Sequence, residues 1–249
     1  MNARSRGILA TVVTVLLATP AFADLAAANG AYATLLDRYV TPRGVRYEGW
    51  RANGADVKKL SEIVMVYRST EPGPLAPAER KALYINLYNA AILESVLRSN
   101  PKSSIKELSI FDRKMMVFDG KLVSLNELEK RLRTEFKDPR IHFAVNCAAR
   151  SCPPIRHEPY DAKTLDDDLD EATRAYLASP QAVTVRSAHG KPTIVTSKIF
   201  DWYADDFKAA GGALAFIAKY GPPEAADAIA GGRANLDFAE YDWSLNAAN

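Results

Sequence analysis

The chain is poor in the residues that carry covalent and metal chemistry. It has two cysteines and three histidines in 249 residues. Two cysteines exclude a disulfide-rich scaffold and a four-thiolate zinc site. They leave room for one disulfide, one nucleophile or one small mixed site. Charge of a single sign is also missing: 32 Lys and Arg face 30 Asp and Glu. A chain this close to neutral, with no basic stripe, argues against nucleic acid as a partner. Internal repeats, low-complexity segments and a linker long enough to demand a second domain are absent as well. Apolar runs are short. The longest, Ile8 to Ala18, falls well below the roughly 20 residues of a spanning helix.

That run has a different use. Arg4 and Arg6 precede it, and Thr19-Pro20 and Ala21-Phe22-Ala23 follow it. The pattern predicts a secretory signal peptide over residues 1–23, cut before Asp24. No cysteine follows the cut, so a lipid anchor there is not expected. The reading places the chain in the periplasm or outside the cell, without a membrane span and as a monomer. Losing Arg4 and Arg6 takes the net charge from +2 to about zero. An oxidising compartment lets the two cysteines pair.

Periodicity predicts a helix-rich α+β domain over residues 24–249. Leu25 to Leu36 reads as helix, and Val45-Arg46-Tyr47 as a short extended piece. Asp56 to Tyr67 is helical by spacing, with Val57, Leu60, Ile63, Val64 and Tyr67 on one face. A long helix follows from Ala78 to Ser99, stopped by Asn100-Pro101. Its middle is apolar nearly all round, so it should be the buried central helix. Asn86 and Asn89 interrupt it, three residues apart on one face. Buried amides need partners. They would tie neighbouring loop backbone to the helix, or orient an imidazole or an oxyanion. Asp119-Gly120 and His189-Gly190 each sit between short apolar runs and predict hairpins. Ser124 and Glu127 form a capping box for a helix to about Arg133. Thr164 is expected to cap a helix from Leu165 to Leu177, with Asp166, Asp167 and Asp168 complementing its dipole.

The scarce residues are concentrated. Asp138 to Ile155, D-P-R-I-H-F-A-V-N-C-A-A-R-S-C-P-P-I, holds His142, Cys147 and Cys152, and His157 lies just beyond. Read locally, Arg140 to Val145 is a strand, Asn146 an N-cap, and Cys147 to Arg150 one helical turn. This would put the Cys147 sulfur among free N–H groups, which lowers a thiol's pKa.

Together with Y-I-N-L-Y-N-A (Tyr84 to Ala90) and S-K-I-F-D-W-Y-A-D-D-F (Ser197 to Phe207), this stretch resembles the domain-of-unknown-function 547 family. The resemblance covers nearly the whole chain after the leader. It implies matching positions for Asn86, Asn89, His142, Asn146, Cys147, Ser151, Cys152 and Pro153. Tyr84 stands where that family usually has Trp, and His157 where it commonly has another polar residue. The resemblance implies little about function.

Three schemes compete for the central stretch. In one, Cys147, or else Cys152, is a nucleophile, His142 its base, and Asn86 or Asn89 a supporting amide. This would be a thiol-dependent hydrolase or transferase acting on amides or esters, papain-like in arrangement. In another, Cys147 and Cys152 form a disulfide, structural or redox-active, in a non-enzymatic envelope binding module. In the last, the evenly spaced His142, Cys147, Cys152 and His157 bind zinc, although this spacing falls outside the usual pairing. The disulfide ranks first as a physical description, and no cofactor is expected. The partner would be an envelope component or a small-molecule substrate.

Overall fold

The computed structural model describes residues 20–188 and 191–248. Residues 1–19 of the expected leader (1–23) and the expected His189-Gly190 turn lie outside them. Helices predominate, and the sheets have two or three strands each. The chain runs through α1 (Pro20–Tyr39), β1 (Val40–Thr41), β2 (Gly44–Val45), α2 (Tyr47–Ala52), α3 (Gly54–Ser69) and α4 (Pro77–Ser99). It continues with β3 (Met116–Phe118), β4 (Lys121–Val123), α5 (Leu125–Phe136), α6 (Ile141–Ala144) and α7 (Leu165–Leu177). Last come β5 (Val183–Ala188), β6 (Lys191–Thr196), α8 (Ile199–Trp202), α9 (Ala204–Phe207), α10 (Gly212–Tyr220), α11 (Pro223–Ala230) and β7 (Asn235–Phe238).

The long apolar helix is central, as its composition demands. In α4 every residue from Ala82 to Leu93 is buried, and α2, α3 and α5 pack around it. Pro77 starts it and left-handed Asn100 ends it. The Asp119-Gly120 hairpin forms with Phe118 opposite Lys121, and both turn residues have positive φ, 52° and 69°. That is the backbone which favours Asp-Gly. The capping box holds: Glu127 N–H donates to Ser124 Oγ, and Ser124 N–H donates to Glu127 Oε2. Thr164 departs from expectation. Its hydroxyl goes to the Asp168 carboxylate at 2.8 Å and makes no backbone cap. The extended piece ends at Val45, and Tyr47 already belongs to α2.

The apolar side chains fall into two clusters. One gathers α1 to α5 with Ile141, Ala144 and the α7 residues Leu165 and Leu169. The other gathers Tyr176, Leu177, β5, β6 and α8 to α11 around Phe143. Successive residues of α6 are thus shared out between them. β6 pairs antiparallel with β5 and parallel with β7. Beyond β7 the chain crosses back over the first cluster, where Leu245 bridges Ala149 and Ala247 bridges Val45.

Candidate active site

The strand expected at Arg140 to Val145 is a single helical turn, α6. Asp138 starts it by accepting from the Arg140 backbone N–H at 3.1 Å. All of Ile141 to Asn146 is buried, so the alternation of Ile141, Phe143 and Val145 marks no exposed face. The second local reading also fails. Cys147 to Arg150 is not a helical turn, and Ala148 sits at φ 60°. Asn146 does act as a local organiser. Its Oδ1 accepts from the Ala148 N–H at 2.7 Å, and its Nδ2 donates to the Pro153 carbonyl at 2.6 Å. These two bonds close the loop that carries both cysteines.

The α4 amides are spent on backbone. Asn89 Nδ2 donates to the Ala144 carbonyl at 2.9 Å, and its Oδ1 accepts from the Asn146 N–H at 2.8 Å. Asn86 grips the Tyr160 backbone through the same pair of bonds, each 2.9 Å. Of the two expectations for these amides, the tie between helix and neighbouring loop backbone is the one observed. Asn89 positions the floor of the site and touches no reacting group.

His142, Cys147 and Cys152 all line one cleft of about 480 Å³. Its walls are largely aromatic, with Trp202, Tyr203, Tyr241 and Trp243 among them. Cys147 is half-buried and Cys152 buried, and both are free thiols. The Cys147 N–H donates to Cys152 Sγ at 2.9 Å. Cys147 Sγ lies 3.4 Å from Tyr241 Oη. Three donors, the Cys152 thiol first, then the Tyr241 hydroxyl and the Ala149 N–H, hold the Cys147 thiol below its ordinary value against the opposing effects of burial and Glu129. Burial pushes Cys152 up. The expected direction for Cys147 is therefore found, but with loop and tyrosine donors in place of a helix N-terminus.

No hydrogen bond joins His142 to Cys147 among the described residues. His142 Nε2 instead meets Asp206 Oδ2 at 2.8 Å. Asp206 also receives Arg133 Nε at 2.6 Å and Arg133 Nη2 at 3.3 Å. The bond to His142 and the ion pair with Arg133 pull the Asp206 carboxyl well below the usual range. An ionised carboxylate only accepts, so Nε2 carries a proton and Nδ1 of a neutral ring is the basic nitrogen. Tyr203 stacks on the imidazole at 4.2 Å, and Phe207 lies at 5.5 Å.

Asp206 belongs to the S-K-I-F-D-W-Y-A-D-D-F block, yet no role for it could be read from sequence. The signal available was an acid beside aromatics. His157 is exposed. Among the described residues no three His, Cys, Asp or Glu side chains converge as a metal site would require. The four-ligand zinc scheme therefore lacks its geometry, with His142 engaged by Asp206.

The fold and cleft define a helix-rich α+β protein built around a paired-thiol loop and a buried histidine bonded to a half-buried aspartate. Within it, residues 73–177 match the family model described as "Protein of unknown function, DUF547". The matched stretch contains α4 and both cysteines but stops short of Asp206 and Tyr241. Neither a curated protein nor a solved structure matches the chain.

Proposed function

We propose that the chain is an exported thiol-dependent hydrolase or transferase acting on an amide or ester bond. The observation that carries this reading is Cys147, a half-buried thiol held below its ordinary value, in a cleft that His142, itself bonded to Asp206, also lines. A lowered thiol pKa supplies thiolate at neutral pH. As Cys147 ionises, its proton passes to His142 Nδ1; the thiolate adds to the carbonyl carbon, a C–S bond forms, and the π electrons move to oxygen. Collapse expels the amine or alcohol, which takes its proton from the His142 imidazolium. Water or an acceptor nucleophile then attacks the thioester, loses its proton to His142, and returns the electron pair to sulfur. Asp206 fixes the tautomer in which Nδ1 does this work.

The test is alkylation of reduced protein by iodoacetamide across pH, with peptide mapping, with and without His142→Ala. Cys147 should react well below pH 8.5, the region of an unperturbed thiol, and the substitution should move its profile. A Cys147 that titrates like a free cysteine and ignores the loss of His142 ends the reading.

A second reading is a thiol-redox pair, supported by the 2.9 Å contact from the Cys147 N–H to Cys152 Sγ. Exchange with an external disulfide would oxidise both thiols to a Cys147–Cys152 bond and reduce that disulfide to two thiols. It predicts that neither thiol in freshly isolated envelope protein is labelled until reductant is added.

A further inference from the structure

We infer that the Tyr241 hydroxyl is a catalytic hydrogen-bond donor to the Cys147 sulfur, brought there by the segment after β7 pairing with the cysteine loop. This rests on Cys147 being the nucleophile, and it adds a group from outside the stretch that matches a family. Tyr241 Oη is 3.4 Å from Cys147 Sγ. The hydroxyl is the donor in that contact. Burial holds the phenol proton far more tightly than usual, so Tyr241 stays protonated when Cys147 has ionised.

The donor is held in place before any substrate arrives. The Asp242 N–H donates to Ser151 Oγ at 2.9 Å, and the Ser151 N–H donates to the Asp242 carbonyl at 3.2 Å. The Arg150 N–H donates to the Ser244 carbonyl at 2.8 Å, and the Asn246 N–H to the Ala148 carbonyl at 2.9 Å. The segment thus runs as a strand partner along the loop that holds both cysteines. Trp202 and Trp243 pack on the Tyr241 ring at 4.8 and 4.6 Å. A fixed dipole aimed at a charge needs no reorganisation when the charge forms. It acts on both steps: it steadies the attacking thiolate, and it steadies sulfur again when the C–S bond breaks.

Other groups face the sulfur. Cys152 supports the thiolate from its own loop, and Glu129 on α5 opposes it. Tyr88 on α4, His142 on α6, Tyr203 beside α8 and Lys106 also line the cleft. Tyr241→Phe removes only the hydroxyl and keeps the ring between its tryptophans. In reduced full-length protein, the Cys147 alkylation profile of Tyr241→Phe should shift upward by about one pH unit. That leaves roughly tenfold less thiolate at neutral pH. Direct titration of the thiolate's ultraviolet absorbance should move by the same amount, which a merely looser fold would not produce. If wild-type Cys147 is lowered and the Tyr241→Phe profiles superimpose on it, Tyr241 is packing only and the inference is overturned. If wild-type Cys147 itself titrates as a free thiol, the nucleophile reading fails and this one with it.

Discussion

Asp206 shows how much one carboxylate does here. It faces a ring nitrogen and a guanidinium at once, and its side chain is only 24% exposed. Its pKa is depressed in the folded chain, so the sign of its contribution is fixed. The stabilisation is fully present above the ordinary carboxylate value, about 3.9. It is lost as pH falls through the depressed folded value. Asp206→Asn should therefore unfold at lower urea than wild type from neutral pH down to about 5. The gap should close as the pH drops below 4. A gap that stays constant into acid would mean that the ion pair is not what Asp206 contributes. The residue escaped sequence analysis for a plain reason. Its bond to His142 spans 64 positions, and local patterns carry no information about such a partner.

At the scale of elements, α4 grips α6 from behind through Asn89. Both backbone groups it serves, the Ala144 carbonyl and the Asn146 N–H, belong to a fully buried stretch. Asn89→Ala leaves both without a partner. Each such group costs about 1–3 kcal/mol, so the variant should lose about 2–6 kcal/mol in urea denaturation. A loss under about 1 kcal/mol would mean that the loop re-forms its bonds elsewhere.

The same contact explains which elements were legible. Where local chemistry agrees with tertiary demand, as in α4, in the Ser124 capping box and in the Asp119-Gly120 turn, sequence and structure coincide. At Ile141 to Val145 the period-two pattern pointed to a strand. A strand needs a neighbour to satisfy its backbone. Here an asparagine side chain on another helix takes up part of that backbone, and the chain folds as one helical turn. The thiols, the histidine and their common location could be read from sequence. The groups that act on them, Asp206 and Tyr241, could not.

For the whole molecule, the prediction concerns its address. The proposed export rests on residues 1–23 alone. Among the described residues no helix is long and apolar enough to cross a membrane. From Asp24 onward the first buried residue of α1 is Ala28, downstream of the expected cut. Mass spectrometry of protein from the envelope fraction should find Asp24 at the N-terminus. Recovery of intact Met1 there would contradict export by cleavage.

The distance in sequence between Cys147 and Tyr241, 94 positions, has a consequence in time. A chain made from its N-terminus presents the two thiols long before the tyrosine and the tryptophan wall that will cover them. Contacts of such long separation also form late in folding, because the loop they close must first be restrained. Until then both sulfurs stand open to any oxidant. Whether a given molecule ends as two thiols or as a disulfide is then decided by a race between closure and oxidation. The same polypeptide, refolded with and without reductant, should yield two populations, one with two thiols and one with a disulfide, that alkylation and mass spectrometry tell apart.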